Sequence, residues 1–246
     1  MYTLHPPAHV FFINNINELH SKSYIDQQVC PTSDFKALIE YENNLDSSKY
    51  LVTDHLVETS DGYLLKIFNV KLKPEALQKL PKKLRQNSTK LVLLQHAWVD
   101  SADSMFFAGK NSVGIHLVDL GFDVWVGNNR GNKYSRRSAP NFLKSEHGVY
   151  KNFFDYSFQE MGVYDQTAIY KYLTKIYPEK AKLEVIFLGI SQGTAQMFAG
   201  LSDEESSEFL TKHTKKFIAA APVVFLNHTP SYALQAVGKA LSQYSM

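Results

Sequence analysis

The sequence predicts an α/β fold: a mostly parallel sheet covered by helices on both faces, with an antiparallel hairpin at its start. Three observations carry this expectation. Short apolar runs recur at residues 90–95, 122–126, 184–188 and 216–225, and a strand buried on both faces shows such a run rather than an alternation. Helix-prone segments at 112–120, 154–177 and 192–201 separate them, and strands alternating with helices imply parallel pairing. Ahead of these, β-prone residues 51–59 and 63–72 are joined at Asp61-Gly62, a strong hairpin signal.

Residues 1–48 read as a preamble interrupted by Pro6, Pro7 and Pro31, with one short helix over 34–41 that starts near Ser33. After the hairpin, residues 74–88 are polar and Lys-rich and are expected to form a solvated loop. The helix over 112–120 stops at Gly121. Beyond the strand at 122–126, residues 127–137 are turn-rich. The helix over 154–177 has a weak point at Gly162 and ends before Pro178. Past the last strand, residues 230–246 have an amphipathic helical pattern with Tyr232, Leu234, Val237, Ala240, Leu241 and Tyr244 on it. The expected division is a preamble at 1–48, a partial core at 49–228 and a further region opening at 229–246.

The chain of 246 residues can form one substantial α/β domain, and its 44% hydrophobic and 20% charged residues are ordinary for a packed protein. A net charge of +2 gives no electrostatic case for nucleic acid. Cys30 is the single cysteine, so no intrachain disulfide forms. Val10 to Ile13 is too short an apolar stretch for a secretory leader or a membrane span. Sequons at Asn87 and Asn227 carry meaning only in the secretory pathway. The compartment is left open.

The sharpest chemical signal is Gly189-Ile190-Ser191-Gln192-Gly193, directly after the apolar run ending at Leu188 and directly before a helix. Glycines at 189 and 193 allow a strand to turn abruptly into a helix where a Cβ would clash, which leaves the Ser191 hydroxyl exposed at the sheet edge. The helix N-terminus then favours negative charge developing on an attacked carbonyl. A second signal is Gln95-His96-Ala97-Trp98, at the end of an earlier parallel strand. In a sheet of this kind the loop there supplies one oxyanion-hole N–H and the residue after the nucleophile supplies the other, which assigns the donors to the backbones of Trp98 and Gln192. His96 is tempting as a base, but its place before that loop suits a structural role, hydrogen-bonded to neighbouring backbone. Arg130, Arg136 and Arg137 form a cationic cluster near the same edge. They could face a substrate acyl or phosphate group; the preferred reading is that Arg130 pairs with a nearby carboxylate and holds its loop.

These motifs resemble, in order from about Tyr50 to His228, the acid lipases, the family of gastric and lysosomal acid lipases and fungal steryl ester hydrolases. Thr59-Ser60-Asp61-Gly62-Tyr63 is similar to its opening hairpin, and Leu94-Gln95-His96 to the start of its oxyanion loop, with Ala97 where glycine is usual. The run from Gly121 to Asn132, extended by Tyr134-Ser135-Arg136-Arg137, is its most distinctive stretch. Residues 154–162 with Tyr164-Asp165 match its long helix, Gly189 to Thr194 its elbow (Ile190 replacing the usual histidine), and Ala221-Pro222-Val223 the following strand end.

The resemblance implies an α/β-hydrolase fold, incomplete at the C-terminus, and a serine hydrolase of neutral lipid esters, acylglycerols or steryl esters. It implies no cofactor or metal, and transient contact with a membrane or lipid-droplet surface. In this fold the triad acid and histidine follow the nucleophile in the chain; in the resembled family they lie beyond a lid region that starts near residue 229. They have no counterpart in this sequence. His228 is the remaining stand-in for the base, and a rebuilt triad is not expected. The chain therefore reads as a piece of a longer lipase; the alternative is a non-catalytic module of the same fold that binds lipid or protein.

Overall fold

The computed structural model of the chain describes residues 32–39, 46, 48–139, 153–178 and 183–224. A short helix, α1 (Thr32–Ala37), stacks Phe35 on Phe68 with ring centroids 4.1 Å apart. It precedes the hairpin of β1 (Tyr50–Glu58) and β2 (Tyr63–Leu72), paired antiparallel from Tyr50 with Leu72 to Glu58 with Leu64. The turn is closed by the Gly62 N–H on the Thr59 carbonyl and by the Tyr63 N–H on the Thr59 hydroxyl, both at 2.9 Å.

The Lys-rich segment is not a plain loop. It folds as α2 (Pro74–Gln78) and α3 (Lys82–Arg85), followed by a 3₁₀ turn at Gln86–Thr89. Pro74 starts the first helix with a preset φ, and Ala76, Leu77 and Leu80 lean on the core. Next come β3 (Leu91–Gln95), α4 (Val113–Asp119), β4 (Asp123–Val126) and the two-residue β5 (Arg137–Ser138). The Ser112 hydroxyl caps α4 by accepting the Ile115 N–H at 3.3 Å.

The long helix begins later than expected. Ser157 and Glu160 form a reciprocal capping box at α5 (Phe158–Glu160), the coil widens into a π turn at Met161–Gln166, and α6 (Thr167–Ile176) continues it. Gly162, expected to weaken the helix, is its contact point. A Cβ there would fall on the Gln196 carbonyl oxygen and 2.7 Å from the Gly200 nitrogen, both on α7 (Gln192–Ser202), which follows β6 (Val185–Ile190). The acidic stretch after α7 leads into α8 (Ser207–His213), an unexpected helix anchored by buried Leu210. The final strand, β7 (Thr214–Ala220), stops well before residue 225: Ala221 takes a φ of 49° and Pro222 has no N–H to donate.

The sheet order is β1-β2-β4-β3-β6-β7, with β5 beside β2. β3, β4, β6 and β7 run parallel, and β1 and β2 are antiparallel. Successive strand residues feed two cores. Val92, Leu94, Val124 and Val126 pack with α1 and α4; Leu91, Leu93, Trp125 and Phe187 pack with α6, α7 and α8. This two-sided burial explains why the strands show as unbroken apolar runs. β3 connects toward β4 on one side, whereas β4 crosses back to β6 on the other. The chain direction thus reverses between β3 and β6, and in open α/β sheets the crevice beyond the carboxyl ends at such a point is where ligands bind.

Candidate active site

Both chemical motifs lie at that crevice. Ser191 follows β6 with φ 51° and ψ −113°, a conformation rarely adopted by a residue with a side chain and costing about 1–3 kcal/mol. Its surroundings hold it there. Its N–H donates to the Ala220 carbonyl at 3.0 Å, and its own carbonyl accepts the Thr194 N–H at 2.9 Å and the Thr194 hydroxyl at 2.6 Å. The two expected elbow glycines are required for contact. A Cβ on Gly189 would sit 2.6 Å from the Gly193 carbonyl oxygen, and one on Gly193 2.6 Å and 2.9 Å from the carbonyl oxygens of Gln95 and His96. Ser191 is half-buried, and its hydroxyl is hydrogen-bonded to no other described residue. The eleven-residue α7 starts at Gln192 and points its N-terminus at this position.

Gly193 also brings the start of α7 against the segment that leaves β3. Trp98, in that segment, is half exposed and is followed by Val99 at φ 55°. Trp98, Val99, Phe107 and Val224 are all large apolar side chains left in solvent by segments leaving the carboxyl ends of β3 and β7, the edge that carries Ser191. His228 lies outside the described residues.

His96 is a structural histidine, as expected, and it is locked. It is 2% exposed. Its Nδ1 lies 2.8 Å from the Ala97 carbonyl oxygen, while Nε2 receives the Asn129 N–H and the Asn132 amide, both at 3.2 Å. Burial holds its pKa below the usual value. Beneath it, amide side chains link helix to loop: Gln166 Nε2 donates to Gln95 Oε1 at 3.0 Å, and Gln95 Nε2 to Asn129 Oδ1 at 2.7 Å. Asn128 accepts the Ala102 N–H at 2.9 Å, and Asp103 accepts the Tyr134 hydroxyl at 2.8 Å and pairs with Lys133. The segment after β3 is thereby tied to the Asn-rich run after β4.

The cationic cluster divides. Arg130 is buried between two carboxylates: Nη1 and Nη2 donate to Asp61 at 2.6 and 2.9 Å, Nε donates to Asp165 at 2.8 Å, and its backbone N–H also donates to Asp165, at 3.1 Å. Its guanidinium lies 4.0 Å from the Tyr63 ring centroid. Arg130 is a clamp across hairpin, loop and helix, the preferred reading of its sequence position. Burial pushes the Asp165 carboxyl up to about 6 against the pull of Arg130, whose own pKa the two carboxylates raise. Arg136 Nε donates to the Gly131 carbonyl at 3.2 Å, and Arg137 lies in β5. Asp61, Asp165, Gln95 and Gln166 were not singled out from sequence as supports of the site. The adjacent Gln95 and His96 before a loop, and Asp165 spaced four residues from Met161 and from Ile169 on an apolar helix face, were the available signals.

Residues 90–244 match the family described as alpha/beta hydrolase fold, and residues 43–109 the one described as partial alpha/beta-hydrolase lipase region. The chain belongs to the α/β-hydrolase family. Similar curated proteins include lipases, in accord with the acid-lipase motifs. Triacylglycerol lipase 1 of Arabidopsis thaliana is 32% identical over 182 residues, 74% of this chain and 41% of the relative. Lysosomal acid lipase/cholesteryl ester hydrolase of Homo sapiens is 32% identical over 175 residues, 69% and 39% of the two chains. Gastric triacylglycerol lipase of Rattus norvegicus is 32% identical over 186 residues, 74% and 42%. The chain spans about two fifths of the length of these relatives.

Proposed function

We propose that the chain carries the nucleophile of a lipase-type serine hydrolase of neutral lipid esters, acylglycerols or steryl esters. The observation that carries this reading is Ser191, held in a strained strand-to-helix turn at the crevice between β3 and β6. Strain of this kind clusters at active sites, where it pre-organises a reacting group. In the proposed reaction Ser191 Oγ attacks the ester carbonyl carbon and gives up its proton to a base. The carbonyl oxygen becomes an oxyanion, which the backbone N–H groups of Trp98 and Gln192 would meet. Collapse of this intermediate expels the alcohol and leaves an acyl-Ser191, which water then hydrolyses. Loss of one oxyanion donor typically slows such a step about 100-fold or more.

No described histidine suits the base. His96 is committed on both ring nitrogens, His55 binds Tyr172 and Thr53, His213 faces the Leu183 carbonyl near the start of β7, and His116 is exposed in the last turn of α4, which leads to the amino end of β4 and not to the Ser191 edge. The triad acid and base are assigned to positions outside the described residues, with 49–228 as the core that holds the nucleophile. The exposed apolar side chains at the Ser191 edge support an acyl chain or a lipid surface as the neighbour of the site. The test is acyl release from p-nitrophenyl esters of short and long chain by wild type, Ser191→Ala and His228→Ala. Release that Ser191→Ala abolishes supports the reading. Release that survives Ser191→Ala refutes it, and robust release that both variants abolish makes His228 the base.

A further inference from the structure

The serine-hydrolase reading needs the Trp98 N–H to point into the crevice, and it leaves open what aims it. Ala97 C=O and Trp98 N–H belong to one peptide unit. A trans peptide is planar, with the two groups directed oppositely, and every described peptide bond is trans. Whatever holds the Ala97 oxygen therefore sets the direction of the Trp98 N–H. That oxygen is held by His96 Nδ1 at 2.8 Å. A carbonyl oxygen only accepts, so Nδ1 carries the proton.

The other face of the ring enforces the same tautomer. Nε2 faces two donors, the Asn129 N–H and Asn132 Nδ2. The Asn132 amide cannot flip without loss, because its oxygen accepts the N–H groups of Tyr134 and Ser135 at 3.0 and 3.1 Å while its nitrogen also donates to Asn128 Oδ1 at 2.8 Å. Tyr134 and Ser135 are buried, as are Asn128 and Asn129. Asp100 and Asp103 are the charged groups whose field reaches the ring, and burial outweighs both.

We infer that His96 is the positioning residue of the oxyanion hole: as the neutral Nδ1–H tautomer, fixed by Asn129 and Asn132, it grips the Ala97 carbonyl and thereby aims the Trp98 N–H. This role rests on the serine-hydrolase reading and goes beyond it. It assigns His96 neither proton transfer nor contact with substrate. It also gives the Asn-rich run after β4 a task, holding a ring rather than a ligand.

The test has two readouts on the 246-residue chain. The first is the ring ¹⁵N spectrum of ¹⁵N-histidine-labelled protein at pH 7, with His96 assigned by its loss in His96→Asn. A protonated Nδ1 and a bare Nε2 are expected; a protonated Nε2 would overturn the inference. The second is the rate of Ser191 modification by an alkyl p-nitrophenyl phosphonate, whose reaction needs an oxyanion hole. Asparagine places its amide N–H near where Nδ1–H stood, whereas glutamine matches histidine better in size and reaches toward the Nε2 site. His96→Asn is expected to stay within about tenfold of wild type, and His96→Gln and His96→Leu to fall about 100-fold, the effect of a lost oxyanion donor. A packing role predicts the reverse order for Asn and Gln, and that order would overturn the inference, as would equal rates in all four proteins. A wild-type chain that takes no label at Ser191 would instead overturn the serine-hydrolase reading, and this assignment with it.

Discussion

Replacing Arg130 by leucine should be the most damaging single change to stability. The guanidinium donates three side-chain hydrogen bonds, at 2.6, 2.8 and 2.9 Å, to Asp61 and Asp165 and stacks on Tyr63. Without it Asp165, 1% exposed, keeps among the described residues only the backbone N–H of residue 130. An uncompensated buried charge of this kind costs about 3–5 kcal/mol, a large part of the roughly 5–15 kcal/mol that holds a domain together. Asp61 is the lesser problem, because its side chain is partly exposed and can be hydrated. The sign of the pH effect follows. Asp165 already stands at about 6, above its unfolded value near 3.8, and loss of Arg130 raises it further. The folded Arg130→Leu protein then binds a proton that the unfolded chain has released, so the deficit should shrink as pH falls from 7 to 5. The assay is urea unfolding followed by the fluorescence of Trp125, which is buried. The double variant Arg130→Leu/Asp165→Leu removes the stranded charge and should recover much of the loss. A cost below about 1 kcal/mol, the range of an exposed ion pair, would refute the clamp. So would a double variant that falls as far as the single.

Two further outcomes are expected. Gly162→Ala should lower stability by about 1–3 kcal/mol, the cost of overpacking, because its methyl meets the Gln196 carbonyl and Gly200 nitrogen of α7; an unchanged thermal midpoint would show that the contact between the π turn and α7 yields freely. His96 is held below its unfolded pKa of 6.5, so the folded chain resists a proton that the unfolded chain takes up, and its contribution is present above pH 6.5 and lost on acidification. The stability gap between wild type and His96→Asn, from urea unfolding, should therefore shift in favour of the variant as pH falls below that point, and a gap independent of pH would contradict the buried neutral ring.

Local chemistry was legible in the sequence and tertiary partnership was not. Asp61-Gly62 marks the hairpin because turn geometry is set within four residues, and the elbow stands out because Gly189 and Gly193 answer a local crowding around Ser191. The apolar runs announce β3, β4 and β6, since strands buried on both faces leave no polar alternation. The Lys-rich segment was misjudged because α2 and α3 are only five and four residues long and bury few side chains; such short helices owe more to context than to propensity. The end of β7 was placed too late because an apolar run continues through a residue, Pro222, that cannot extend the ladder. Gly162 was legible as an irregularity but not as a contact, which needs α7 opposite it. Arg130 with Asp61 is the clearest limit: the two lie 69 positions apart, and only the sheet order brings the hairpin turn beside the loop after β4. The His96 ring belongs to the same class, its neighbour bond to Ala97 being foreseeable and its grip by Asn129 and Asn132 not.

The central claim is that Ser191 is a nucleophile in an assembled oxyanion site. It is tested most directly by exposing the 246-residue chain to an alkyl p-nitrophenyl phosphonate and locating the adduct by peptide mass spectrometry. One phosphonyl group on the peptide that carries Ser191, absent from Ser191→Ala, is the predicted result. No adduct, or an adduct that persists in Ser191→Ala, would contradict it.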